Sequence, residues 1–148
     1  MTVLIDTNLL IYLFDESNPS KQSVSKKVLD YLHSTRQGRL SVQSLSEFVS
    51  VSTRKLTPAL TMDQAKKQIS LLANSFTVLD LTFQVVYEAV RGVREHQLAF
   101  YDAQIWAIAR LNQIQVIFSE DFQDNGLLEG VRFINPFSEG FQEKLWLP

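Results

Sequence analysis

The chain has no cysteine and only two histidines, His33 and His96. The lack of cysteine excludes disulfides, thiolate metal sites and cysteine nucleophiles, and two imidazoles leave little basis for histidine ligation. Any metal site must therefore be built mainly from oxygen ligands. Such ligands suit hard cations such as Mg²⁺, Mn²⁺ and Ca²⁺ better than Zn²⁺ or copper.

The sequence also lacks a hydrophobic run long enough to span a membrane. Residues 1–6 contain no basic leader, and a charge appears at Asp6 before an apolar run of signal length develops. We therefore expect a soluble, cytoplasmic protein with no membrane contact. With 148 residues, 45% of them hydrophobic, the chain can form one domain (1–148) around a single core.

Four acidic residues lie next to hydrophobic segments, in places where the surrounding sequence predicts a buried core. They are Asp6, Glu47, Asp102 and Asp121. Burying an ionised carboxylate is costly unless it is paired or bound to metal, and few of the 14 lysines and arginines are adjacent in sequence. A divalent cation held by these carboxylates is the leading explanation.

Each acid also has a simpler interpretation. Asp6 could begin an Asx turn, and Asp102 could act as a helix cap or dipole partner. Glu47 could form a salt bridge with Arg54 or another base, and residues 119–121 could be an ordinary polar loop. These alternatives explain single residues, but they do not explain why four such residues occur together.

Charge is distributed unevenly along the chain. Residues 21–79 contain nine basic and three acidic residues, a net +6, whereas residues 80–148 contain five basic and ten acidic residues. Excluding the four acids above leaves 12 acidic residues against 14 basic ones. The basic half fits either a nucleic-acid-binding surface or ordinary solvated helix faces.

Short apolar runs alternate with helical patterns along the whole chain. Strands are predicted at residues 2–5, 39–42, 76–79, 116–118 and 132–134, and Glu47 is predicted to lie on a helix over 44–54. This alternation predicts an α/β fold with a mostly parallel sheet of about five strands and helices on both faces. In such sheets ligands bind beyond the carboxyl ends of the strands, where Asp6 and Asp121 follow predicted strands.

The acidic segments give the chain a family resemblance that spans nearly its whole length. The sequences VLIDTNLLIY (3–12), SLSEF (44–48), YDAQI (101–105), FSEDFQD (118–124) and INPF (134–137) resemble those of PIN-domain nucleases. Among these nucleases, the chain is similar to the VapC-type toxins of prokaryotic toxin-antitoxin pairs. The resemblance implies a single PIN-like domain over residues 1–148.

Carried over by position, the resemblance implies that the four acids form a catalytic site that holds Mg²⁺ or Mn²⁺. It further implies that neighbouring residues support the site or contact substrate: Thr7, Asn8, Ser119, Glu120 and Asp124. Because Glu120, Asp121 and Asp124 are all acidic, the fourth ligand is open among them. We select Asp121, since the family usually has serine or threonine two positions before its last acid, as Ser119 is here.

The implied activity is metal-dependent endoribonuclease hydrolysis of RNA, with attack by a water molecule in line with the leaving oxygen. Glu47 could help to orient or deprotonate that water. Exposed bases of RNA could stack on aromatic residues such as Tyr12, Phe14 or Phe48, although their spacing favours a place in the core. The alternative function is a catalytically silent PIN-like module that binds RNA or a protein.

The toxin resemblance also implies a cognate antitoxin and a homodimer. The C-terminal tail offers an apolar surface for such a dimer through Phe141, Leu145, Trp146 and Leu147. The same tail could instead fold back on its own sheet, and the sequence leaves both arrangements open.

Overall fold

The structure, a computed structural model, describes all residues from 1 to 148 and is built on one six-stranded sheet. The strands are β1 Val3–Ile5, β2 Gly38–Ser41, β3 Thr77–Leu79, β4 Val116–Phe118, β5 Leu127–Leu128 and β6 Val131–Ile134. They lie in the order β3-β2-β1-β4-β6-β5, and all pairs are parallel except β5 with β6. The predicted α/β class is confirmed, with one strand more than expected. The extra strand, β5, has only two residues, too few to show a pattern.

Seven helices connect and cover the strands. They are α1 Thr7–Tyr12, α2 Pro19–Ser34, α3 Val42–Ser52, α4 Met62–Ser75, α5 Phe83–His96, α6 Phe100–Leu111 and α7 Glu143–Trp146. Helix α4 begins with a capping box, in which Thr61 and Gln64 bond each other's backbone N–H groups. No helix is long and apolar enough to cross a bilayer.

The sheet separates two hydrophobic clusters, as expected for helices on both faces. Strand β1 contributes to both, because successive side chains point to opposite sides. Val3 and Ile5 pack with Phe48 of α3 and other residues of α1, α2 and α4, whereas Leu4 packs with Trp106 of α6 and with residues of α5. Every β1 side chain is fully buried. The strand is therefore the centre of the fold.

Helix α5 lies where its hydrophobic pattern predicts, but its buried face is different. In the sequence, Phe83, Val86, Tyr87, Val90 and Val93 recur at helical spacing and predict one apolar stripe. Of these residues, Phe83, Tyr87 and Val90 are 75%, 73% and 47% exposed. The face that packs on α6 instead carries Val85, Ala89 and Gly92. The prediction of that stripe as a packing face was wrong for these three residues.

The C-terminal tail folds back on its own sheet. The rings of Phe141 and Trp146 meet Phe118 edge to face, at centroid distances of 6.1 and 6.3 Å. Leu145 alone among the four apolar tail residues is exposed, at 59%. Most of the predicted dimer surface on the tail is therefore already used inside the molecule.

The strand order reverses between β1 and β4. From β1 the chain adds β2 and then β3 on one side, whereas β4 and β6 lie on the other side. Ile5 pairs with Phe118, so the residues that follow, Asp6 and Ser119, leave adjacent strands side by side. In open α/β sheets this reversal creates a crevice at the carboxyl ends of the strands.

Candidate active site

Asp6 lies at the base of this crevice, 4% exposed, between the end of β1 and the start of α1. One carboxylate oxygen, Oδ1, accepts a hydrogen bond from the Thr7 backbone N–H at 2.7 Å. The other, Oδ2, accepts one from the Ser119 hydroxyl at 2.7 Å. Asp6 therefore caps α1 through the next residue and forms no Asx-turn bond to the residue two positions on, and Ser119, which follows β4, completes the arrangement.

Glu47 reaches the same crevice from α3. Its Oε2 accepts a hydrogen bond from the Thr7 hydroxyl at 2.8 Å, and its Oε1 accepts one from the Gln43 side-chain amide at 2.8 Å. Thr7 thus bonds both Asp6 and Glu47 and joins the beginning of α1 to α3. The salt bridge to Arg54 is not formed, because the Arg54 guanidinium bonds Ser50.

Asp121 enters from the loop after β4. Its Oδ2 accepts a hydrogen bond from the Asn8 side-chain amide at 3.2 Å, and its backbone N–H donates to the Ser119 hydroxyl at 3.1 Å. Asn8 also donates to that hydroxyl at 3.2 Å. The small side chain of Ser119 therefore connects Asp6, Asn8 and Asp121.

Asp102 lies in the first turn of α6 and is half-buried. Its carboxylate forms no hydrogen bond, and Ala99, the N-cap residue that precedes α6, makes no side-chain cap bond. The pKa of Asp102 is raised by burial first and then by the negative charges of Asp121 and Glu47. Asp102 therefore forms no cap bond, whereas its place in the first turn still suits a partner of the helix dipole, and it lies near enough to Asp121 and Glu47 for their charges to act on it.

The electrostatics of the crevice are those of carboxylates without a counterion. The pKa of Asp6 is raised to about 7, mainly by burial and in smaller part by the charges of Asp121 and Glu47. Hydrogen bonds from Ser119 and Thr7 act in the opposite direction. No lysine, arginine or histidine forms an ion pair with any of the four acids.

The other two acids considered for the fourth position are engaged elsewhere. Glu120 forms an ion pair with Lys21 at 2.6 Å and accepts a hydrogen bond from the Tyr12 hydroxyl. Asp124 accepts hydrogen bonds from the backbone N–H groups of Asn125 and Asn135, at 3.1 and 2.8 Å. Asp121 is the only one of the three acids that bonds a residue of the crevice.

Two buried glutamines that the sequence analysis did not identify hold the acidic crevice in place. The Gln43 amide donates to Glu47 and also, at 3.0 Å, to the backbone carbonyl of Tyr101. The Gln104 amide donates to the Gln43 carbonyl oxygen at 2.9 Å, which fixes the orientation of that side chain. Gln43 lies one turn before Glu47, and Gln104 lies two residues after Asp102. The sequence signal that could have identified them is a glutamine near each acid within an otherwise apolar helix.

A second group of acidic residues consists of Glu95 and Glu129 together with His96. Arg91 donates hydrogen bonds to both glutamates at 2.9 Å. The Arg91 guanidinium, followed by His96, lowers the pKa of Glu129 to about 2. This group is an ion-pair network, in contrast to the unpaired carboxylates of the crevice.

The fold and the crevice together define an α/β protein with an acidic centre at the reversal of its strand order. The family model for the PIN domain matches residues 3–123, and the chain therefore belongs to the PIN domain family. A comparison with curated protein sequences finds no match.

Solved structures with the same fold include a toxin-antitoxin complex from Klebsiella pneumoniae, with a TM-score of 0.68 and 21% identity over 91% of this chain and 98% of that one. VapC20 of Mycobacterium tuberculosis, a sarcin-ricin-loop-cleaving toxin, has a TM-score of 0.66 and 19% identity over 88% of this chain and 99% of that one. VapBC2 of Rickettsia felis, bound to a promoter DNA fragment, has a TM-score of 0.64 and 11% identity over 90% of this chain and 97% of that one. At these identities the likeness shows a shared fold.

Proposed function

We propose that the protein is a metal-dependent endoribonuclease and the toxin of a toxin-antitoxin pair. The observation that carries the proposal is the convergence of Asp6, Glu47, Asp102 and Asp121 in one crevice with no basic partner. A structural role would favour pairing these charges, because an unpaired buried carboxylate is costly. Membership of the PIN family and the fold shared with VapC toxins support the same function.

The donor set fits Mg²⁺ or Mn²⁺. The four acids offer carboxylate oxygens, and the Oδ1 of Asn8 is buried without a hydrogen-bond partner. A hard divalent cation prefers such oxygen ligands and would offset the mutual repulsion of the carboxylates. When bound, the metal would polarise the phosphate and make water a stronger nucleophile at neutral pH.

The hydrogen bonds suggest separate roles for the four acids. Asp6 and Glu47 each have both oxygens oriented by neighbours, so their remaining lone pairs point in fixed directions for a cation or water. We assign Glu47 the orientation of the attacking water, as the more accessible of the two. Asp102, with no partner, and Asp121, at the rim, complete the set beside the incoming phosphate.

Cleavage of bulk RNA with Mn²⁺, with Mg²⁺ and with chelator tests the proposal. We expect cleavage only with the metal, and loss of at least about a hundredfold in Asp102→Asn, in keeping with removal of one charge-stabilising group. The exposed Asp80→Asn substitution is a matched control that should cleave normally. Full activity of Asp102→Asn would contradict the mechanism.

Metal binding separates this function from a silent PIN-like module. An active protein should be stabilised against thermal unfolding by Mn²⁺, because a ligand bound only to the folded state raises its stability. A silent module would show neither this stabilisation nor cleavage. The thermal shift requires no knowledge of the natural RNA.

The toxin assignment includes a cognate antitoxin that covers the crevice, a homodimer and a cytoplasmic location, where RNA is available. The Klebsiella pneumoniae and Rickettsia felis assemblies support the antitoxin, since each contains a relative with this fold. Expression of the chain alone should arrest growth, and co-expression with the product of a small adjacent gene should restore it. Growth unaffected by expression would contradict the toxin role but not the nuclease activity.

A further inference from the structure

An open groove of roughly 770 Å³ leads away from the acidic crevice along α3. Its lining runs along α3 from Val42 past Glu47 to Arg54 and Lys55, which lie just beyond the end of the helix. Tyr101 and Gln104 at the start of α6, with Leu81, form the opposite wall. The groove therefore contains the Glu47 carboxylate of the acidic crevice together with two cations.

The spacing along α3 makes this a continuous track. Ser50 and Val51 follow Glu47 by three and four residues and share one face of α3, and Arg54 and Lys55 line the same groove from the turn after the helix. At a rise of about 1.5 Å per residue, the part of α3 from Glu47 to Ser52 spans roughly 8 Å along the helix axis, and Arg54 lies in the turn beyond it. A chain of more than one nucleotide is needed to span that length.

The two cations of the groove have no acidic partner. The Arg54 guanidinium bonds only the Ser50 carbonyl, at 3.0 Å, and the Ser50 hydroxyl, at 2.7 Å. Lys55 forms no ion pair, whereas Lys21, Lys27 and Arg91 are paired with glutamates. Positive charge left uncompensated beside a groove is the arrangement that binds phosphates.

Tyr101 supplies an apolar surface on the wall of the groove that α6 forms. Its side chain is 67% exposed although it adjoins the half-buried Asp102, and its hydroxyl bonds no other residue. The Phe100 ring supports it edge to face, at 5.5 Å between centroids. An exposed, supported aromatic ring beside a cationic track is suited to stacking an unpaired base.

We infer that this groove binds single-stranded RNA, with a base stacked on Tyr101 and phosphates at Arg54 and Lys55. The inference rests on the proposed function, because the scissile phosphate would lie at the acids beyond Glu47. Stacking on Tyr101 requires an unpaired base, so a duplex would lose this contact. Tyr101 replaces Tyr12, Phe14 and Phe48 as the stacking residue. Phe48 is fully buried, Phe14 packs on Phe48, and Tyr12 bonds Glu120.

Binding of a fluorescein-labelled, mixed-sequence RNA decamer, measured by fluorescence anisotropy, tests the inference. All proteins carry Asp102→Asn to prevent cleavage during the measurement. The variants are Tyr101→Ala, Tyr101→Phe and the double substitution Arg54→Ala with Lys55→Ala. The double substitution Lys66→Ala with Lys67→Ala removes two exposed cations from α4, outside the groove, and is the matched control.

Tyr101→Ala should weaken binding about tenfold, in the range measured for loss of one stacked base, and Tyr101→Phe should bind more tightly than Tyr101→Ala because the ring is kept. Removing Arg54 and Lys55 should weaken binding at least about tenfold. It should also reduce the slope of log affinity against log salt concentration by about 1.4, or 0.7 per lost phosphate contact. The control pair should leave both the affinity and the slope near those of the parent.

Three results would overturn the inference. The groove and control substitutions could weaken binding equally, the groove variants could bind as the parent does, or the parent could fail to bind the RNA. Tighter binding of the same decamer in a duplex would also overturn it. Cleavage of bulk RNA by the unmodified chain is measured in parallel. If the unmodified chain cleaves RNA but the groove variants bind RNA as well as the parent, the nuclease proposal stands and the groove inference fails. If the unmodified chain does not cleave RNA and the parent does not bind it, both proposals fail.

Discussion

Asp6 is the residue at which burial and charge repulsion meet most strongly. Its carboxyl group is held between strands β1 and β4, and its pKa is raised to about 7. In the metal-free protein the folded state therefore keeps a proton that the unfolded chain releases near its ordinary value of 3.8. The folded state loses stability from this group as the pH rises from about 4 through 7.

Asp6→Asn should remove this pH dependence along with cleavage. At about 1.4 kcal/mol per pKa unit, the variant should gain roughly 2 to 3 kcal/mol over the parent between pH 5 and pH 8. Urea unfolding in chelator at the two pH values measures the difference, with Asp80→Asn as the control. A constant difference between variant and parent at both pH values would contradict the assignment.

The paired glutamines give a second prediction for single residues. Gln104→Leu leaves the buried Gln43 carbonyl oxygen without its donor, at a cost of about 1–3 kcal/mol in folding free energy. The Gln43 amide is then free to rotate, and Glu47 loses a fixed partner. Loss of such supporting bonds typically lowers metal affinity or activity by about 10- to 100-fold.

The measurement for Gln104→Leu combines RNA cleavage with a Mn²⁺ titration of thermal stability. The exposed Gln115→Leu is the matched control. Destabilisation without any change in cleavage or metal affinity would show that the glutamines only support the packing of α3 on α6.

At the scale of elements, the close contact of α5 and α6 depends on Gly92. A Cβ atom at this position would lie 2.8 Å from Trp106 Cζ3 and 2.9 Å from Cε3. Trp106 is fully buried and has Arg91 and Arg110 guanidinium groups near its ring, at 5.4 and 5.6 Å from its centroid. The ring therefore has little freedom to move away.

Gly92→Ala should destabilise the protein by about 1–3 kcal/mol through overpacking, even though alanine favours a helix by about 1 kcal/mol. Urea unfolding of this variant and of Gly140→Ala measures the effect. Gly140 is a suitable control because its Cβ would meet only the Ser138 hydroxyl, at 3.6 Å. Equal stability of the two variants would show that α5 and α6 can separate at no cost.

The same contact explains why the packing face of α5 could not be predicted from the sequence. Valines occur on both sides of the helix, so the hydrophobic pattern does not select a face. The side with Ala89 and Gly92 is buried because only small residues allow Trp106 to approach, and Phe83 and Tyr87 are left outside. This selection depends on a partner helix that the local pattern does not include.

The strands and the grouping of the acids were easier to predict than their partners. A parallel sheet brings the ends of β1 and β4 together wherever the chain crosses between them, so Asp6 and Asp121 could be placed at one edge. Glu120 is excluded as the fourth acid because it pairs with Lys21, which lies 99 positions before it in the sequence. The catalytic roles of the four acids stay predictions until they are measured.

At the scale of the whole molecule, the exposed aromatic face of α5 is the surface most suited to a homodimer. The rings of Phe83 and Tyr87 lie 6.0 Å apart and extend toward Val90. Because a two-fold axis presents the same patch twice, such a stripe can pack against its own copy. The tail, by contrast, leaves only Leu145 exposed.

Sedimentation of the purified chain at micromolar concentration tests this arrangement. We expect a dimer, and at least about a tenfold weaker association when Phe83 and Tyr87 are both replaced by serine, because two interface aromatics are lost. Met62→Ser with Leu71→Ser, on the exposed side of α4, is the control. A monomeric parent, or a control that dissociates equally, would exclude the α5 interface.

The crossing between β1 and β4 also has a consequence during synthesis. Asp6 emerges from the ribosome early, but Asp121 emerges more than a hundred residues later, and β6, which flanks β4, follows only at Val131–Ile134. A nascent or truncated chain that stops before these residues cannot assemble the complete set of acids. Under the proposed function, RNA cleavage is therefore expected only once the segment from Asp121 to Ile134 has been synthesised.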